Sequence, residues 1–201
     1  MEHQSLALEG LIHDLNNVFQ TIGESAELLQ SDLKWRKVAG TLQRCAVHGQ
    51  RLASSILDSN RSAIEPPMVV ESAVQFARDY LECIHAAEMI FIQEVDPLFR
   101  LTGDPAAWER VLVNLFLNAA EAGAKRVEVT ARGGELVIRD DGRGIPEDLL
   151  PRIFQPHVST KTILSGLGLY VVQSIVEQHG GTVQAINQPG GGAEFRISLF
   201  G

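Results

Sequence analysis

The chain has 201 residues, enough for one large domain or two small ones, each with its own buried core. Its hydrophobic share of 45% and charged share of 21% are those of a globular protein rather than a disordered one. A formal charge of −8 with no dense Lys/Arg run argues against a nucleic-acid or anionic-membrane binder, since those partners need a basic face. Cys45 and Cys83 stand in different segments without metal-ligand spacing, so each reads as a buried thiol and not as part of a disulfide framework. No apolar run approaches the ~20 residues that cross a bilayer, and no signal pattern opens the chain, so the expected location is cytoplasmic with no membrane span.

From Gln4 to Asp32 the apolar residues Leu8, Leu11, Leu15, Phe19 (or Val18), Ile22, Ala26 and Leu29 recur at alternating intervals of three and four. That spacing predicts a helix with one narrow apolar stripe. Val38, Leu42, Cys45, Gly49, Leu52 and Ile56 repeat the pattern, with Gly49 as its weak point. The short polar stretch Ser31–Lys34 between them predicts an antiparallel hairpin. A hairpin alone leaves its stripe in water, so a homodimer forming a four-helix bundle is expected; packing against the rest of the same chain is the alternative.

Glu65-Pro66-Pro67 reads as a helix stop and linker, dividing residues 1–64 from residues 68–201. Beyond it the periods mix. Helices are predicted over Val70–Ala87, Pro105–Ala122 and Leu167–Gln178, the last closed by Gly180. A short strand is expected at Met89–Glu94. Arg126–Ala131 and Glu135–Arg139 alternate as strands across Gly133-Gly134, and Thr182–Ile186 with Ala193–Leu199 form a last hairpin. The fold class is therefore two domains: an all-α antiparallel hairpin followed by an α+β sandwich with helices on one face of a mixed sheet.

Four short motifs in the second segment carry chemistry. Asn114 and Asn118, four residues apart on one helix face, set two amides in apolar surroundings where they must find partners; an amide oxygen is also a hard ligand suited to Mg²⁺. Asp140 follows a strand and can accept from an exocyclic amino group, while Gly142 and Gly144 let a flat base approach the backbone. The stretch Ile153–Lys161 ends in Ser159, Thr160 and Lys161, which can reach phosphates. Gly166, Leu167 and Gly168 open a helix whose N–H groups, unobstructed by Cβ atoms, suit an anion. Each motif alone has a structural explanation; the four in this order point to Mg²⁺-ATP.

His13 lies between the stripe positions Leu11 and Leu15, so its ring should project into solvent, where a neutral imidazole is a competent nucleophile near pH 7. Asp14 can orient the ring and take up its positive charge, and Asn17 lies one turn on. His3, His48, His85, His157 and His179 read as ordinary solvated or packing residues.

The order of motifs over residues 66–201 resembles the ATP-binding domain of sensor histidine kinases, within the fold shared with gyrase-like, Hsp90-like and MutL-like ATPases. His13-Asp14-Leu15-Asn16-Asn17 likewise resembles the phosphoacceptor box of those kinases. The resemblance implies Asn118 as Mg²⁺ ligand, Asp140 as the adenine-reading carboxylate, and Gly142 and Gly144 shaping the base pocket. It further implies Thr160 and Lys161 on a lid, and Gly166 and Gly168 at the phosphates. His13 would be the phosphoacceptor, and the partner an aspartate on a response-regulator receiver domain, toward which Asn17 could also assist a phosphatase reaction. Hydrolytic relatives carry a glutamate where this chain has Asn114, which implies slow hydrolysis. The apolar pair Ile163-Leu164 departs from the family's glycine-rich lid and could lower activity. With no sensor domain in the sequence, a separate protein or a missing domain would supply the signal. The alternatives are a phosphotransfer protein with a weak ATP domain and a non-enzymatic module that binds a regulator.

Overall fold

A computed structural model of the chain describes residues 2–30, 34–55, 62–83, 86–156, 158 and 167–199. Helices α1 (Glu2–Gln30) and α2 (Arg36–Ser55) run antiparallel. Gln43 Nε2 donates to Glu27 Oε1 at 3.1 Å, Gly23 faces Ala46, and the Phe19 ring lies over Gly49. The contacting residues pair one helix's start with the other's end, as an antiparallel hairpin requires.

The buried seam differs from the expected stripe. Ile12, Ala26, Ala39, Ala46 and Ala53 are buried, with Phe19 half-buried among them, whereas Leu11 (57% exposed), Leu15, Val18 (55%), Val38 and Leu42 face out. The apolar residues of α1 fall into two stripes, and small residues on α2 draw one of them in close. Gly49 is the reason rather than a flaw: a Cβ there would strike the Phe19 ring. Ile56 and the Ser31–Leu33 turn lie outside the described residues.

Strand β1 (Ser62–Ile64), which sequence reading left in the hairpin segment, pairs antiparallel with β3 (Leu101–Gly103). Helix α3 (Pro66–Cys83) starts four residues earlier than expected. Pro66 and Pro67 begin this helix instead of ending α2, because the first turn has no intrahelical use for an N–H and favours a fixed φ. Met68 N and Val69 N donate to Glu65 O at 3.1 and 3.4 Å.

The remaining elements are β2 (Ile90–Val95), α4 (Pro105–Glu121), β4 (Arg126–Arg132), β5 (Glu135–Asp140), a 3₁₀ turn (Leu150–Arg152), α5 (Gly168–Gln178), β6 (Gly181–Asn187) and β7 (Ala193–Leu199). The five-stranded sheet has the order β2-β4-β5-β7-β6; β2 and β4 are parallel and every other pair antiparallel. One face is apolar: Val127, Val129, Leu136, Ile138, Phe195 and Ile197 meet Trp108, Leu112, Leu115 and Phe116 of α4. Helices α3 and α5 flank α4, so this unit is the expected α+β sandwich. Asp104 caps α4 by accepting from Ala106 N at 3.0 Å, and Trp108 Nε1 donates to Thr102 O at 2.9 Å. These two bonds fix the entry of α4, the helix that carries the paired asparagines.

Candidate functional site

The outer flank of α4 is the one side of that helix the core does not cover. Arg110, Asn114 and Asn118, at i, i+4 and i+8, form a half-buried row along it. At its C-terminal end, Arg143 N donates to Ala122 O at 3.1 Å, and a Cβ on Gly142 would stand 2.9 Å from the Ala122 Cβ. The loop after β5 is thereby held against the end of α4.

Asp140 ends β5 at this point. Its Oδ1 accepts from Gly142 N at 2.8 Å, and burial pushes its pKa up, partly offset by the amides of Gly142 and Ala193. No cation pairs with it among the described residues. Asp141 faces the other way, its Oδ1 accepting from Lys125 N at 2.7 Å and Arg126 N at 2.9 Å, which ties the loop to β4. Neighbouring carboxylates thus divide the work: one braces the loop, the other stays available.

Two residues that sequence reading missed complete this corner. Asn187, at the end of β6, donates from Nδ2 to Ile145 O and accepts at Oδ1 from Ile145 N, both at 2.7 Å. Gly144, at φ 74°, lies under that amide, where a side chain would be 2.8 Å from Asn187 Oδ1. Gly192, at φ 86°, lies so close to the Asp140 carbonyl that a Cβ would overlap it. Local motifs could not reveal either partnership, because each joins segments some 40 or more residues apart.

At the C-terminal end of the row Asn118 Nδ2 is buried without a hydrogen-bond partner. An unsatisfied buried amide is costly, so its presence marks a group reserved for something that binds there. Which atom of that amide faces the pocket is set by its partner, so the oxygen is equally able to face a hard cation. Asn114 Nδ2 donates to Arg110 O at 2.7 Å, and its Oδ1 would stand 2.9 Å from a Cβ on Gly168. The N-terminus of α5 therefore abuts α4 at Asn114, and only a glycine permits the approach. Leu167 precedes that helix, and no side chain caps it. A helix N-terminus without a side-chain cap presents N–H groups able to hold an anion.

Along this flank stand a partly buried carboxylate at Asp140, an amide nitrogen without a partner on Asn118 and, beside Asn114, the N-terminus of α5. Gly168 and Asn114 meet at one end of this flank, and Gly142 meets Asp140 and Ala122 at the other. Thr160, Lys161 and Gly166, with His157 and the Ile163-Leu164 pair, lie outside the described residues.

His13 projects from α1 with its side chain 75% exposed, and Asp14 beside it is 81% exposed. His13 Nδ1 is 3.2 Å from Asn17 Nδ2 and 3.8 Å from Asp14 Oδ1. Asn17 is within hydrogen-bond distance of that ring nitrogen, and the Asp14 carboxylate stands just beyond it.

Residues 103–200 match the family described as Histidine kinase-, DNA gyrase B-, and HSP90-like ATPase. That segment carries the ATPase-type α+β sheet and matches histidine kinase catalytic domains. The chain is 31% identical over 207 residues to the sensor histidine kinase ZraS of Klebsiella oxytoca, across 94% of this chain and 44% of that protein. It is 32% identical over 213 residues to the sensor protein FixL of Bradyrhizobium diazoefficiens, across 94% and 42% respectively. The chain thus spans less than half the length of these relatives. Among solved structures, the mycobacterial sensor histidine kinase MprB superposes at TM-score 0.59 and 26% identity, covering 70% of this chain and 97% of that one. Full-length ShkA in complex with AMPPNP gives TM-score 0.62 at 22% identity over 96% of this chain and 45% of its own, a likeness of fold. No helix among the described residues is long and apolar enough to cross a membrane.

Proposed function

We propose that the chain is an autophosphorylating protein-histidine kinase that transfers the γ-phosphate of ATP to His13 and then to an aspartate of a response-regulator receiver domain. One observation carries the reading: a solvent-facing His13, flanked by Asp14 and Asn17, shares a chain with the Asp140–Asn118–Gly168 pocket.

In this reading Asp140 accepts from the adenine amino group, and Gly142 and Gly144 leave room for the ring. The α5 N-terminus at Leu167 and Gly168 holds the phosphates, joined by Gly166, Thr160 and Lys161. Asn118 would ligate Mg²⁺ through Oδ1 once the amide turns to set that oxygen where Nδ2 now lacks a partner, with phosphate and water supplying the other oxygens. Mg²⁺ contributes charge neutralisation on the phosphates when bound. Asn114 offers no general base for water, consistent with a site that holds ATP for another nucleophile.

His13 Nε2 supplies the lone pair for the new N–P bond, while the bond from γ-phosphorus to its bridging oxygen breaks and ADP leaves with that electron pair. The step needs the proton on Nδ1, so Asn17 must turn its Nδ2 donor away from that nitrogen, and Asp14 Oδ1 then receives the Nδ1–H in a hydrogen bond. At 3.8 Å that bond is not yet made, and a side-chain rotation shortening it by about 1 Å would make it. Asn17 is placed to position a water in the reverse, phosphatase direction on a phosphorylated partner. The outward apolar stripe of Leu11, Leu15, Val18, Val38 and Leu42 is covered by a second copy in a homodimeric four-helix bundle. The kinase works in the cytoplasm, and its signal comes from a separate sensor protein or from a further domain of a longer chain.

Incubation of the protein with γ-labelled ATP and Mg²⁺ tests this. The expected product is an acid-labile, base-stable label that His13→Gln abolishes. Label that survives His13→Gln would assign the acceptor elsewhere, and a wild-type protein that neither labels nor binds nucleotide would end the kinase reading.

A further inference from the structure

The row of side chains on the flank of α4 does not end at Asn114. Arg110 continues it one turn further, about 6 Å along the helix axis. It is half-buried, and no carboxylate pairs with it among the described residues. Its neighbour Glu109 turns to the opposite flank, where Ser72 Oγ donates to it at 2.7 Å, so the nearest acid in sequence is engaged elsewhere. Burial alone pulls the Arg110 pKa down, as expected for a cation removed from water without a compensating anion. A guanidinium is costly to hold in that condition unless an anionic ligand completes it.

The pocket has a direction. Ala122, with Gly142 and Asp140 beside it, marks the base end of α4, Asn118 lies one turn before it, and Asn114 with Gly168, a further turn back, marks the phosphate end. Going from base to phosphates is going toward the N-terminus of α4, and the next side chain on that path is Arg110. We infer that Arg110 is the residue that contacts the γ-phosphate and makes the site prefer a nucleoside triphosphate over a diphosphate. Its forked donors suit a terminal phosphate, which presents more free oxygens than a bridging one. The inference rests on the nucleotide reading of the pocket and adds a specificity residue to it. The guanidinium then bears on the group in flight, where it also offsets negative charge.

Titration of the full chain with Mg²⁺-ADP and with a non-hydrolysable Mg²⁺-ATP analogue, for wild type, Arg110→Gln and Arg110→Lys, tests it. Arg110→Gln is expected to leave ADP affinity within about twofold while weakening the analogue about tenfold or more, the size of one charged hydrogen-bonding partner. Arg110→Lys, which keeps the charge and loses the fork, should fall between. Parallel losses for both nucleotides would show a role in shaping the helix, and unchanged affinities would show a bystander; either overturns the inference while leaving the nucleotide site intact. Failure of wild type to bind either nucleotide would instead remove the nucleotide reading on which it stands. Should Arg110→Gln prove too unstable to purify, the ratio of the two affinities in Arg110→Lys decides the matter.

Discussion

On β7, Glu194 is 3% exposed and enclosed by Arg139 Nε at 2.6 Å, Arg196 Nη2 at 2.8 Å and Gln188 Nε2 at 2.9 Å. Arg139 is its register partner on β5, and the next residue along that strand is Asp140, which has only backbone amides for company. The two carboxylates are neighbours in the sheet with opposite environments. Burial raises the Glu194 pKa and the arginines more than reverse it, so the net shift is downward; for Asp140 burial wins and the shift is upward. Glu194 is finished by the fold. Asp140 is left incomplete by it, and an incomplete buried acid at the mouth of a pocket is where a ligand's donor belongs.

The largest test of that contrast is Asp140→Asn. The amide turns an acceptor toward a donor into a donor–donor clash, and nucleotide affinity is expected to fall about 100-fold. Stability should move the other way. A folded pKa above the unfolded one means that the ionised form is disfavoured by folding, a cost fully present above the folded pKa and absent below the unfolded one. Asp140→Asn removes that cost, so the apo protein should melt no lower than wild type at pH 7. Wild-type binding should also weaken as pH falls through the raised Asp140 pKa, at a higher pH than an ordinary aspartate would impose. Calorimetric titration and thermal melts read the two effects, and a destabilised variant that still binds would reverse the assignment.

Glu194→Gln probes the other half. Its cost is expected in stability, about 1–2 kcal/mol, with nucleotide affinity unchanged. Because the folded pKa is depressed, this stabilisation is complete above the unfolded glutamate pKa and is lost as pH falls through the folded one. Wild type and Glu194→Gln should therefore melt apart near neutrality and converge in acid. A constant gap across pH would mean that packing, not charge, is what the substitution removes.

How much of this contrast was legible in the sequence depends on how local each feature is. The asparagine pair, the aspartate after a strand and the glycines before α5 are short-range patterns; the structure sets Gly168 against Asn114 and Gly142 against Asp140 and Ala122. The β1–β3 pairing was invisible because strands of three residues have no period to read. The stripe read on α1 is only partly drawn into the hairpin: Phe19, Ile22 and Ala26 turn inward while Leu11 and Leu15 face out, and periodicity cannot say which residues Ala39, Ala46 and Ala53 draw in. Pro66 and Pro67 were taken as a stop because proline ends one helix as readily as it begins the next, and only β1 directly before them and α3 beginning at them show which applies. Glu194, Asn187 and Gly192 carried no motif at all; their roles come from partners brought across the sheet.

Asn187 sits between the two halves of the comparison and sharpens it most finely. It is joined to the pocket loop by two hydrogen bonds to Ile145 and belongs to the strand that borders β7. Unlike Glu194 it holds a segment that touches the pocket, and unlike Asp140 its own polar atoms are already used. Asn187→Ala should therefore move both readouts a little: a loss of about 1 kcal/mol in stability for the stranded Ile145 groups, and a severalfold drop in nucleotide affinity as Gly142 and Gly144 loosen. Exposure of Ile145 to solvent would soften the first effect without touching the second, since water can replace the lost partner but cannot hold the loop. If affinity stays at the wild-type value while stability falls, the loop is rigid without its clamp and Asp141, through Lys125 and Arg126, is sufficient to hold it.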